Sequence, residues 1–293
     1  MADEDALRLL WDRRLIDAAV ITAASAAPGY PLACLKDPLP CRTYRSAGLA
    51  AQSLVIDLGE PAYCTCLGLV NHNFTNDGQI TVQAAATPDF AAPLYTEEFP
   101  VWRPIIGFGE GGAGEHGAGG MILESERSFY APSPLGLYYF ATVDGDYVKA
   151  RYWRLDLADA ANPAGYFEIG RLFLGLFDEF IWQFDWQNRS LLPKDDSDNR
   201  YSTGGQRWPI CKPTRRGQRL PWSLLAPADK NWRLLFFLGK VGITVPFIID
   251  PLPAGLPSER YFSAMYGHLT ELPEVKNVAN QYSSAELVVE EDL

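Results

Sequence analysis

The stretch from Arg151 to Gly175 constrains the fold more than any other part of the chain. It reads as two apolar strands joined by a turn. In the first, Tyr152 to Leu157, the residues Trp153, Leu155 and Leu157 fall on one face, the period-two spacing of a half-buried strand. The second, Phe167 to Leu174, is apolar apart from Glu168 and Arg171. Asn162-Pro163 and Gly165 supply the turn between them. Strands this apolar need cover, so the segment is expected to pack within a β-sandwich. The composition changes after Gly175, which places a domain boundary near residue 176. On this reading Trp153, Tyr166 and Phe167 serve core and interdomain packing rather than a ligand site.

Composition supports the all-β direction. Twenty-two prolines and 25 glycines in 293 residues favour many short strands and turns over long helices. A hydrophobic content of 47%, with 13% aromatic residues, is enough for a packed core. The length suits two ordinary domains or one large β domain. The net charge of −11 excludes nucleic acid as an expected partner, because no Lys/Arg stripe is present to neutralise phosphates. A basic partner surface fits better. The opening Met1-Ala-Asp-Glu-Asp5 lacks the basic-then-apolar order of a secretory signal. No run of about 18 apolar residues is present, so no membrane span is expected. Synthesis in the cytoplasm follows as an expectation.

Along the chain, Leu7, Leu10, Trp11 and Leu15 have helical spacing, so residues 1–16 are expected to form an arm or short helix. Strand signals follow at Leu54–Gly59, Cys64–Val70 and Gln79–Ala85. Residues 107–120 are a glycine-rich loop, costly to order. Beyond residue 176, the alternation Phe180/Trp182/Phe184/Trp186 predicts a strand with one large apolar face. Ala228–Leu238 is the best helix candidate, Gly242–Ile249 a buried strand, and Leu287 and Val289 alternate in an acidic tail.

The order of these pieces carries a resemblance. Val20–Ser25, Leu54-Val-Ile-Asp-Leu-Gly59, Cys66-Leu-Gly-Leu-Val-Asn-His-Asn73, Ile80-Thr-Val-Gln83, Ala150-Arg-Tyr-Trp-Arg-Leu155 and Phe167–Gly175 together resemble the discoidin-like, galactose-binding-like family over residues 17–176. The resemblance implies a jelly-roll β-sandwich that binds sugars, lipid head groups or protein surfaces through loops at one end. Residues 177–293 imply a smaller β-rich (α+β) assembly domain. There, Ser202-Thr-Gly-Gly-Gln206, Arg215-Arg216, Val245–Pro251 and the Glu-rich closing strand resemble the tail-tip (baseplate, distal-tail-like) minor tail proteins of long-tailed bacteriophages. That likeness implies a structural, non-enzymatic component of the virion. It would form a ring of three or six copies and touch tail-tube, hub and tip proteins, with no cofactor. The alternative, from a different class, is a carbohydrate-binding module that recognises a bacterial surface glycan.

Candidate residues follow from both readings. Phe180, Trp182, Phe184, Trp186, Arg215, Arg216 and Phe247 are expected at the assembly interface, the arginines against an acidic neighbouring subunit. Trp102, Tyr130 and His72 are candidates for ligand contact. Cys34, Cys41, Cys64 and Cys66 could supply thiolates to a metal, Cys64 and Cys66 from one face of a single strand. Small buried hydrophobes and a Cys34–Cys41 disulfide are the other readings of these cysteines. Their C-x6-C and C-x-C spacings match no zinc knuckle, so no metal is expected. No H-E-x-x-H, G-x-S-x-G or P-loop pattern occurs, and Glu97-Glu98, Asp144/Asp146 and Asp156/Asp159 read as solvated loop carboxylates. No catalytic residue is therefore assigned.

Overall fold

The computed structural model describes residues 6–75, 77–101, 135–140, 147–181, 183–255, 257–279 and 281–292. The chain divides into two compact units. One comprises residues 10–178 and 255–261, and the other residues 1–9, 179–254 and 262–293. The division falls at 178/179, and the N-terminal residues join the C-terminal unit rather than standing apart as an arm. In place of one helix over residues 7–16 there are a strand, β1 (Arg8–Leu10), and a one-turn helix, α1 (Arg14–Ala18). Leu7, Leu9 and Leu10 are buried, so the apolar residues serve a strand and its approach.

The first unit is a two-sheet antiparallel sandwich, the architecture that the discoidin-like resemblance implies. Its strands are β2 (Val20–Ala23), β3 (Tyr44–Arg45), β4 (Gln52–Cys64), β5 (Cys66–His72), β6 (Gln79–Ala85), β7 (Tyr95–Pro100), β8 (Leu135–Tyr139), β9 (Val148–Ala158) and β10 (Glu168–Gly175). One sheet has the order β2-β4-β9-β6-β7 and the other β3-β10-β5-β8. Alternation does what the sequence pattern demands: Leu54 and Ile56 on β4, Ile80 and Val82 on β6, and Trp153, Leu155 and Leu157 on β9 all point into one core. Trp153 and Phe167 are fully buried, as their core reading requires. Trp153 stacks on Phe140 with centroids 5.1 Å apart, and Phe74 packs on Phe167 at 5.0 Å.

Register fixes which loops meet. Thr65 alone separates β4 from β5, so Cys64 and Cys66 share one end of the sandwich, where Gly175 pairs with Cys66. At the opposite end lie Gln52 opposite Leu157, Gln79 opposite Ala158, His72 opposite Ile169, and Arg45 opposite Glu168. The connections 24–43, 73–78 and 159–167 therefore gather at that second end, away from where β10 leaves the sandwich.

The second unit centres on an eight-stranded sheet ordered β11-β1-β18-β19-β21-β17-β12, with β20 paired to β21. Its strands are β11 (Asp178–Glu179), β12 (Ser190–Leu191), β17 (Gly217–Leu225), β18 (Phe247–Asp250), β19 (Met265–Leu269), β20 (Lys276–Ala279) and β21 (Tyr282–Glu291). Two short pairs, β13 (Lys194–Asp195) with β16 (Thr214–Arg215) and β14 (Asp198–Tyr201) with β15 (Arg207–Ile210), extend the chain between β12 and β17. The expected helix is present but split. A π-helical turn, Asp229–Leu234, leads into α2 (Leu235–Val241), which stops at Gly242 with φ +57°. A further helix, α3, spans Pro257–Ser263. The alternating acidic tail is β21, an interior strand between β19 and β17. Among the described residues of 180–186 the expected strand is not formed: only Asp178–Glu179 pair, and a 3-10 turn covers Trp186–Asn188.

Candidate functional site at the loop end of the sandwich

At the end of the sandwich where Arg45 faces Glu168, the side chains converge on one arginine. The Arg45 guanidinium lies 3.9 Å from the Tyr30 ring centroid and 4.9 Å from that of Tyr166. Its Nε is 3.1 Å from a Glu168 carboxylate oxygen, and the Thr43 hydroxyl donates to the other oxygen at 2.6 Å. Tyr30, Arg45, Tyr166 and Glu168 are each partly exposed, so the cluster meets solvent. A guanidinium between two aromatic faces is held by the ring quadrupoles, and its charge is compensated by the carboxylate.

The framework beneath is tied down through polar groups. Asn73 accepts the Glu168 N–H at 2.8 Å and donates its amide to the Tyr166 carbonyl at 2.9 Å. Asn162 donates to the Asn73 carbonyl at 2.9 Å. The buried Asp159 accepts from the Thr75 N–H at 2.6 Å and its hydroxyl at 2.8 Å. Ser46 accepts the Phe167 N–H at 2.8 Å, and the Tyr44 hydroxyl donates to the Ser25 carbonyl at 2.7 Å. Burial pushes the Tyr44 phenol up to about 12, so it remains a donor at neutral pH. Gly170 leaves room for loop 24–43: a Cβ there would stand 2.4 Å from the Pro40 carbonyl oxygen. Asn71, at φ +52°, turns its amide onto that same oxygen at 2.7 Å. Such cross-linking fixes rotamers before any ligand arrives.

His72, the one described member of the proposed ligand contacts, lies beside this framework with its ring nitrogens turned away from solvent. Both ring nitrogens are shielded from solvent without a hydrogen-bond partner among the described residues, and the ring packs edge-on to Phe74 at 5.5 Å. Burial pulls its pKa down to about 4, so the imidazole is neutral at pH 7. Trp102 and Tyr130 lie outside the described residues, as do the glycine-rich loop 107–120 and Asp144/Asp146.

Burial corrects part of the assembly-interface expectation. Phe180, Phe184 and Phe247 are enclosed by their own unit: Phe180 stacks on Trp222 at 5.3 Å, and Phe247 meets Phe237 edge-on at 4.9 Å. They fill a core and have no face to offer another chain. Trp182 is outside the described residues, and Trp186 is exposed. Arg215 and Arg216 find their acidic partners within the chain. Arg215 pairs with Asp196 and with Glu290 at 2.7 Å, and Arg216 pairs with the buried Glu291. Cys64 and Cys66 end one strand and begin another in different sheets, so they do not share a strand face. Burial, with Cys66 beside it, raises the Cys64 thiol well above its usual range and keeps it protonated, a poor state for a metal ligand. Cys34 and Cys41 are free thiols. Among the described residues no three His, Cys, Asp or Glu side chains gather to hold a metal. Among them, too, no helix is long and apolar enough to cross a membrane. Of the weighed carboxylates, Glu97 bonds Tyr95, Asp156 pairs with Arg154 at 3.0 Å, and Asp159 is the buried acceptor described above.

Sequence reasoning missed Tyr30, Thr43 and Arg45 and assigned Tyr166 to packing alone. A signal was present: Glu168 is the one acid of a strand apolar apart from it and Arg171, and a strand-end carboxylate asks for a cationic partner across the sheet.

No family model and no curated protein matches the chain. Solved structures similar to it include the family 32 carbohydrate-binding module from C. perfringens NanJ in complex with galactose, at 10% identity over 59% of this chain and 99% of that one, with a TM-score of 0.36. A second is chitosan-binding module 1 from a chitosanase/glucanase of Paenibacillus sp. IK-5, at 14% identity over 54% and 94%, with a TM-score of 0.33. A third is the lectin domain of lectinolysin complexed with Lewis B antigen, at 10% identity over 53% and 91%, with a TM-score of 0.33.

Proposed function

We propose that the chain is a non-catalytic binding protein whose sandwich unit recognises a neutral carbohydrate at the Tyr30–Arg45–Tyr166–Glu168 cluster. The observation that carries this is a solvent-facing donor–acceptor pair flanked by two tyrosines on a framework already fixed by hydrogen bonds. A pyranose offers what such a cluster can read. Vicinal hydroxyls accept from the guanidinium and donate to the carboxylate, while the C–H face packs against a phenol ring. Because Glu168 compensates Arg45, the site has no net charge to attract an anionic sugar. The test is isothermal titration of the full chain with a panel of neutral hexoses and hexosamides. Saturable binding that is lost in Tyr166→Ala supports the reading, and absence of binding counts against it. Failure of the protein to release reducing sugar from cell envelopes supports the non-catalytic part.

A second reading is the tail-tip structural role in a virion, through self-assembly and contact with tail proteins. Its support is the sequence resemblance of residues 177–293, together with one structural observation. The second unit carries a β-hairpin, β14–β15, whose eight strand residues are all exposed. A tape-measure gene directly upstream of the encoding gene would favour this role, and polysaccharide-degrading neighbours would count against it.

A further inference from the structure

The hairpin β14–β15 pairs only with itself. Its register sets Arg200 opposite Trp208 and Tyr201 opposite Arg207. Residues two apart share a face. One face therefore shows Asp198, Arg200, Trp208 and Ile210, and the other Asn199, Tyr201, Arg207 and Pro209. Each face sets an aromatic beside an arginine, the residue types that dominate binding hot spots. Tyr201 is 68% exposed and Trp208 58%. A lone two-stranded hairpin is marginal in water, and here it holds two large rings in solvent.

Charge says what covers it. From Lys194 to Arg216 six Lys/Arg stand against three Asp, so this segment is net +3 in a chain of net −11. Lys194, Arg215 and Arg216 at its base and Arg200 on the hairpin are each paired with a carboxylate, which leaves Arg207 and Lys212 as the cations without an acidic partner among the described residues. The same unit contains an open groove of about 640 Å³ whose lining includes Asp185, Glu271, Glu274, Glu286, Leu272 and Trp222. Glu286 is paired with Arg219 at 2.8 Å and Glu274 with Lys276 at 2.9 Å. Asp185 caps Ser223, and neither Asp185 nor Glu271 has a cationic partner among the described residues. Trp222 is buried, so the groove's exposed apolar surface is at Leu272; the groove combines unpaired acid with that patch, and the hairpin combines arginine with exposed aromatics.

We propose that the hairpin of one copy seats in the acidic groove of a second copy of this chain, with Arg207 meeting the groove carboxylates and Trp208 its apolar rim at Leu272. Opposite charges on two parts of one surface favour contact between copies and penalise pairing hairpin with hairpin or groove with groove. This deepens the assembly reading and rests on it for the identity of the partner as a second copy. It is independent of the carbohydrate reading.

Sedimentation velocity of the full chain tests it, at low salt and up to about 100 μM, above the micromolar end of standard-size interfaces. Concentration-dependent association is expected. Arg207→Glu and Trp208→Ala should each raise the dissociation constant by about tenfold or more, as hot-spot truncations do. Glu271→Arg should weaken association alone and recover part of it when combined with Arg207→Glu, since the swapped charges pair again. These residues are exposed or line an open groove, and an unchanged thermal transition verifies the fold of each variant. A wild-type chain that stays monomeric overturns the proposal. Association indifferent to hairpin and groove variants overturns it too, while leaving self-assembly itself standing.

Discussion

Two arginine–tyrosine clusters in this chain share residue types and differ in everything around them. At the loop end of the sandwich, Arg45 is gripped by Tyr30, Tyr166 and Glu168, and the loops beneath are cross-linked by Asn73, Asn162, Asp159 and Ser46. On the hairpin, Arg200 and Arg207 sit beside Trp208 and Tyr201 with solvent on both faces. The lesson concerns when ordering is paid for. The first cluster is organised during folding, so a ligand meets fixed groups. The second presents its aromatic rings to solvent on a hairpin that pairs with itself.

Substitutions can break this comparison at several sizes. The largest effect is expected where a ring is enclosed. Trp153→Ala should cost about 3–5 kcal/mol of stability, whereas Trp208→Ala should change it by no more than about 0.5 kcal/mol. Chemical denaturation of both variants checks this, and equal losses would erase the distinction between the two regions.

Acid should act on the sandwich next. His72 has a folded pKa of about 4 against an ordinary value of 6.5. Between those values the unfolded chain binds more protons, so stability rises with pH across the window and is lost as pH falls from about 6.5 toward 4. The upper bound is about 3 kcal/mol from this residue. His72→Phe should flatten that part of the stability–pH curve, and an unchanged curve would place the titration elsewhere.

Gly170→Ala should be smaller, about 1–3 kcal/mol, because loop 24–43 must move off the Pro40 carbonyl. Sugar binding should weaken with it if the fixed framework matters to recognition. The smallest change in stability belongs to Arg45→Lys, since an ammonium keeps the ion pair but loses the stacked plane. Its effect on ligand affinity should exceed its effect on the melting temperature.

Much of the sandwich was legible because its signals are local. Period-two alternation in Leu54–Ile56, Ile80–Val82 and Trp153–Leu157 is dictated by one buried face, and the structure keeps each face where the pattern puts it. The second unit was less legible because tertiary context overrides spacing there. Phe180 and Phe184 alternate like a strand, yet each is held in irregular chain by packing on Trp222. Leu7 and Leu10 have helical spacing, yet this part of the chain gives a strand to a sheet built from residues some 170 positions later, a pairing no local window contains. The site was hidden for the same reason. Tyr30, Arg45 and Tyr166 come from three separate segments and meet only through the register of β3 on β10. Arg215-Arg216 was visible as charge, but its partners Glu290 and Glu291 stand at the far end of the sequence.

If the sandwich's loop end is a preformed site for a neutral sugar, titrating the full chain with neutral hexoses up to about 10 mM, beyond the millimolar constants of weak single-site binding, will show it. Saturable heat is expected, disappearing in Tyr166→Ala while the melting temperature stays unchanged. No saturable binding, or binding that survives both Tyr30→Ala and Tyr166→Ala, would contradict it.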